Sequence, residues 1–227
     1  MTTKLSRELL RPENGTKEEK FLVMQNRRKA LTQVGKGALV KAGYKLGPSL
    51  KIPGAHSFLA EFRAKSVRVG IKTSADRWVS IPKDGRGGFG LLSAVDEVFV
   101  VTFDQWPVPN SVQIYRFDPN VVTDRAVQVY AEAHKRGHTG LQFLPLDDVS
   151  DRRSTTAHFS NLKKDGDLFF EETIEWTDGT TPPPPPTARL ADREQSDQPI
   201  MDRIKAMLAE HLGVRAELID IEVRVKV

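Results

Sequence analysis

The segment Glu97 to Phe103, EVFVVTF, is apolar on both sides of a two-residue period. A strand of that kind belongs at the centre of a sheet, where neither face meets water. The surrounding pattern supplies the other strands. Residues 57–64 and 67–72 alternate around Lys65 and Ser66, which predicts a hairpin pairing Ala64 with Val67, Phe62 with Val69 and Glu61 with Gly70. Phe58, Ala60, Phe62, Val67, Val69 and Ile71 then share the core face, while Leu59, Glu61, Arg63, Arg68 and Lys72 share the other. Trp78 to Ile81 and residues 111–117 read as two further strands.

Two helices complete the core. One opens at Thr16, whose spacing to Glu19 is that of a capping box, and carries Phe21, Met24, Leu31, Val34 and Ala38 at helical intervals. Gly35 and Gly37 are candidate breaks, and AGYKLGP reads as a stop. The other starts near Thr123, packs Val122, Ala126, Val129, Tyr130 and Ala133, and stops at Gly137. The expected fold is therefore α/β (α+β), with a mixed central sheet flanked by helices over residues 16–148. Residues 1–15 read as a flexible arm.

Residues 149–227 differ in character and read as a smaller C-terminal strand-linker-helix-strand unit. A strand at Leu168 to Trp176 precedes five prolines at 182–186, an extended spacer of about 15 Å. Ile200 to Leu212 forms an amphipathic helix, and Ile219 to Val227 alternates as a last strand. One helix and one strand cannot bury themselves, so residues 199–227 are expected to dock on the rest of the chain, on a protein partner or on a second copy.

Composition removes several classes. The 227 residues include no cysteine, which excludes disulfides, thiolate metal sites and cysteine nucleophiles and permits a cytoplasmic setting. No apolar run approaches the roughly 18–20 residues of a membrane span. Charge is divided: residues 1–90 carry a net +12 and residues 91–227 a net −8. A basic half of that size suits a polyanion, and Arg27, Arg28 and Lys29 fall on one helical turn. It also suits an acidic protein surface. The glycines of DGRGGFG fit a dinucleotide fingerprint, but about six residues before the next strand leave no room for its helix. His134 and His138 are four apart where a helix ends, and read as surface histidines favourable to its dipole.

The basic helix, the hairpin strand VRVGIKTS, Trp78 and VDEVFVVTFD together resemble the restriction-endonuclease-like, or PD-(D/E)xK, nuclease superfamily. The resemblance implies a mixed sheet flanked by helices, whose second core strand ends in a carboxylate, a spacer and a lysine. Lys72, followed by Thr73 and Ser74, matches the lysine. Gly70 stands at the carboxylate position, and no clear upstream aspartate is seen. In the expected hairpin register Glu61 faces Gly70, so a carboxylate reaches that place from the adjoining strand, with Asp96 or Glu97 as a second ligand. This gives a catalytic set of Glu61, Lys72 and Asp96, with Glu61 and Asp96 holding Mg²⁺ if the site is active. Arg27, Arg28, Lys29, Arg63, Arg68 and Arg86 would contact the DNA or RNA backbone. The implied function is nucleic-acid binding with a degenerate phosphodiesterase site. The alternatives are an ordinary charged face with cross-strand pairs, and a non-enzymatic interaction or regulatory protein.

Overall fold

The computed structural model describes residues 2–10, 16–52, 56–85, 87–148 and 161–177. The chain divides into two units, Met1–Gly179 and Thr180–Val227. The second unit, with its expected proline spacer, helix and final strand, lies outside the described residues.

The first unit is built on a seven-stranded mixed sheet. In chain order its strands are β1 (Thr2–Ser6), β2 (Lys45–Ser49), β3 (His56–Phe62), β4 (Lys65–Ser74), β6 (Glu97–Phe103), β7 (Ser111–Phe117) and β9 (Asp167–Thr177). They lie in the order β1-β9-β7-β6-β4-β3-β2, which puts β6 in the middle as its two apolar faces require. β4 and β6 run parallel, as do β1 and β9, and the other pairings are antiparallel. Two short strands, β5 (Trp78–Ser80) and β8 (Phe143–Pro145), form a separate antiparallel ribbon. The strand expected at Trp78 to Ile81 is therefore real but belongs to this ribbon.

The structure corrects the expected hairpin register. Arg63 and Ala64, both at positive φ, form the two-residue turn, so Phe62 pairs with Lys65, Glu61 with Ser66 and Ser57 with Gly70. Two left-handed residues match a primed hairpin turn, whose twist suits the flanking strands. The displacement is four residues, an even number, so the side chains keep the expected faces: Phe58, Ala60, Val69 and Ile71 are buried together.

Other expectations also change. Residues 2–6 are not a loose arm, because β1 joins the sheet edge beside β9, and Arg7–Leu10 forms a 3-10 helix. β9 lies in the same sheet against β7, so the first unit extends past residue 148. β9 also flanks β7, which is largely buried.

Helix α1 (Lys17–Lys41) has the expected capping box, with Thr16 accepting from the Glu19 amide and Glu19 accepting from the Thr16 amide. It runs through both glycines. At Gly35 it approaches the sheet so closely that an added Cβ would stand 2.7 Å from Val101 Cγ2. Leu31, Ala38 and Leu39 pack there against Phe99, Val101 and Phe103 of β6. On the opposite face, α2 (Gly90–Ala94), α3 (Pro119–Lys135) and the ribbon cover Val98 and Val100. A five-residue α2 thus follows the glycine loop, and α3 starts four residues before Thr123 because Asp118 caps it and Pro119 opens it.

The two glycines of α1 should respond in opposite senses. Gly37 has nothing within 4 Å of an added Cβ, so Gly37→Ala should raise stability by about 0.5–1 kcal/mol. Gly35→Val should lower it by about 2 kcal/mol through overpacking against Val101. Equilibrium urea unfolding of the two variants checks both, and a shift of the same sign in each would show that contact at Gly35 is not limiting.

Candidate functional site

Lys72 stands near the carboxyl end of β4, where the chain leaves the sheet beside an open cleft of about 800 Å³. Its side chain is only 8% exposed, yet it lines the cleft. Among the described residues it has no ion-pair or hydrogen-bond partner. Burial, and then the positive charge of Arg28, push its pKa down to about 8. His56, at the start of β3 and opposite Ile71, is also lowered, first by burial and then by Arg28, Lys36 and Lys72. The cleft is therefore electropositive, and His56 is neutral at pH 7.

Three elements build the walls. The amino-terminal half of α1 brings Phe21, Met24 and Arg28. The ribbon brings Trp78, Ser80 and Phe143, which share one face because Ser80 pairs with Phe143 and Trp78 is two residues away. The segment after β6 adds Trp106, which stacks on the Phe103 ring and carries the Arg27 guanidinium 4.3 Å from its centroid. Arg77, with φ of +67°, turns the chain into the ribbon. Its buried guanidinium donates to the Asp147 carboxylate, the Phe103 carbonyl (2.8 Å) and Gln113 Oε1 (2.9 Å). Although burial pushes the Asp147 carboxyl up, hydrogen bonds from Arg77 and Lys163 hold it below the usual range. This network ties the ribbon to the ends of β6 and β7.

The sequence-predicted residues do not converge. Lys72 and Arg28 line the cleft. Glu61 pairs with Lys45 at 2.9 Å and lies opposite Ser66, six residues from Lys72 along β4, or roughly 20 Å. Asp96 pairs with Arg68 at 2.6 Å, and that guanidinium holds its carboxyl below the usual range. It sits level with Arg68, four residues or roughly 13 Å from Lys72. Glu97 accepts from the Tyr44 hydroxyl at 2.7 Å. Arg27 is buried and donates to the Leu9 carbonyl at 2.7 Å, while Lys29 is exposed on α1. Arg63 occupies the hairpin turn over Phe62, and Arg86 lies outside the described residues.

Mg²⁺ does not fit the ligands expected for it. Glu61 and Asp96 stand on either side of β4, two strand spacings or about 10 Å apart, so they cannot share a cation. Among the described residues no group of three His, Cys, Asp or Glu side chains comes together in a metal-binding arrangement. Asp76 is the carboxylate in the cleft wall, and its Oδ1 already accepts from Ser74 Oγ (2.9 Å) and the Trp78 amide (3.2 Å). Gly70 is also explained by packing. An added Cβ would meet Leu91 Cδ1 at 3.0 Å and the Val95 methyls at 3.4 Å, so α2 and the residue after it cover that position.

Sequence reasoning missed His56, Phe143 and the role of Phe21 and Met24. Those two were expected in the core, but Phe21 is 61% exposed. The available signal was the run Phe21, Leu22, Val23, Met24, because four consecutive apolar residues cannot all face one side of a helix.

Lys72 costs the fold stability. Its pKa is about 8 folded against an ordinary 10.5, so the unfolded chain holds the proton more tightly and stability rises with pH between those values. Lys72→Met should therefore stabilise the protein by roughly 2–3 kcal/mol at pH 7. The gain should shrink as pH rises from 8 toward 10.5, and urea unfolding at pH 7 and pH 10 measures it. No family model matches the chain, and no curated protein matches it.

Proposed function

We propose that the protein binds nucleic acid through its phosphate groups, using a nuclease-like domain whose hydrolytic site is degenerate. The observation that carries this reading is Lys72, a buried ammonium without an acidic partner among the described residues, held in an open cleft beside Arg28. A phosphate would supply the negative partner that Lys72 lacks among the described residues, and at a buried ammonium such charge-assisted hydrogen bonds are strong. Hydrolysis by the expected route needs carboxylates converging on a metal, and Glu61 and Asp96 are each engaged elsewhere. The surplus of basic residues over 1–90 supports the same partner.

A second reading, a protein-interaction module that never touches nucleic acid, is favoured by the exposed Phe21, Leu22 and Met24 on α1. Among the described residues no helix is long and apolar enough to cross a membrane. A cytoplasmic location, and docking through residues 199–227, belong to both readings as proposals.

An electrophoretic shift titrated with salt, with and without Mg²⁺, separates the two. With about six phosphate contacts, affinity should fall by roughly three orders of magnitude between 50 and 200 mM salt. Lys72→Met should weaken binding about tenfold or more. Glu61→Gln and Asp96→Asn should change it by less than about twofold, since exposed pairs contribute little. Affinity should decline from pH 7 to pH 9 as Lys72 loses its proton, and Mg²⁺ should produce no cleavage. A salt-independent shift, or none, removes the nucleic-acid reading.

A further inference from the structure

We propose that the cleft takes an unpaired nucleotide of a single strand, with its phosphate on Lys72 and Arg28 and its base stacked against the ribbon wall of Trp78 and Phe143. This rests on the nucleic-acid reading above and adds the form of the ligand.

The three tryptophans differ in what they touch. Trp106 is engaged by the Phe103 ring and by the Arg27 guanidinium. Trp176 lies beside Phe103, and its Nε1 donates to the Pro109 carbonyl at 3.2 Å. Trp78 differs, because its ring makes no aromatic or cation contact with any described residue, although it lines the cleft. Its place on the ribbon puts it on the same face as Phe143, which is 41% exposed. Facing them across the cleft, α1 presents Phe21 and Met24. Apolar walls with aromatic rings on one side and a cationic floor beneath fit a planar base attached to a phosphate.

An unpaired base offers a π-face to such walls, and stacking of this kind tolerates every base. In a duplex those faces are already stacked on neighbouring bases, and only phosphates reach a concave site. The cleft volume of about 800 Å³ falls in the range of sites that enclose one small ligand. Ser80 and Thr73 in the lining can bond base edges or sugar hydroxyls.

The test is fluorescence anisotropy of the full chain with a labelled oligothymidylate strand, a hairpin duplex of equal phosphate number, and the corresponding RNAs. Single strands should bind about tenfold tighter than the duplex. Trp78→Ala and Phe143→Ala should each remove about tenfold for the single strand and leave duplex binding unchanged, while Trp78→Phe, which keeps a stacking ring, should retain most of the affinity. Thermal unfolding of each variant identifies any that fails to fold, and Trp78→Phe then decides the point by losing or keeping the single-strand preference.

Equal or tighter duplex binding, or single-strand affinity indifferent to Trp78→Ala in a folded variant, overturns the inference and leaves phosphate binding standing. A nucleoside monophosphate that competes as well as the strand overturns the strand as ligand. Failure of both strand and duplex to bind removes the proposed function itself.

Discussion

β6 has no face that tolerates water, and this constraint arranges the other elements. Its odd residues Phe99, Val101 and Phe103 require the layer made by α1, and its even residues Val98 and Val100 require the layer made by α2, α3 and the ribbon. Gly35 allows α1 to sit against Val101, and Gly70 allows Leu91 and Val95 to sit against β4. The cleft opens beside the carboxyl end of β4, with the amino-terminal half of α1 and the β5–β8 ribbon as its walls.

Lys72 occupies that opening at a cost. A buried ammonium loses hydration, and the usual compensation is a carboxylate within hydrogen-bond reach. Elsewhere the fold supplies such compensation: Glu172, buried on β9, accepts from Lys41 at 2.9 Å, and Arg77 is matched by Asp147. Both of those ion pairs fasten an element to the sheet. Lys72 fastens nothing, which distinguishes it from a structural ion. A local conflict with stability, beside buried charges that are paired, supports the proposal that an outside group completes the interaction at Lys72.

The α/β layering, the central position of β6 and the faces of β3 and β4 were legible because hydrophobic period is a strong signal. Register was not, since a period of two is blind to any even displacement. Turn chemistry normally resolves that ambiguity, and Arg63-Ala64 carries none of the usual glycine or asparagine. β1 and β2 escaped notice for a related reason. They are five-residue edge strands with at most one buried residue each, held by backbone bonds that leave no pattern in the side chains. In the candidate site, Lys72 and Arg28 were readable from the motif and from charge. Phe143 and Trp78 as a pair were not, because a two-stranded ribbon joining residues 63 to 67 positions apart leaves no local trace.

The register error matters because it carried the catalytic hypothesis. With Glu61 opposite Gly70, a displaced carboxylate rescued the motif; with Ser57 opposite Gly70, nothing does. An added Cβ at Gly70 would stand 3.0 Å from Leu91 Cδ1 and 3.4 Å from the Val95 methyls, so an acid at that position would need those side chains to give way. Apolar side chains of α2 and the residue after it cover that place. Lys72 lines a cleft whose walls carry aromatic rings, and Glu61 and Asp96 do not converge on it. That separation supports the proposal of phosphate binding without hydrolysis.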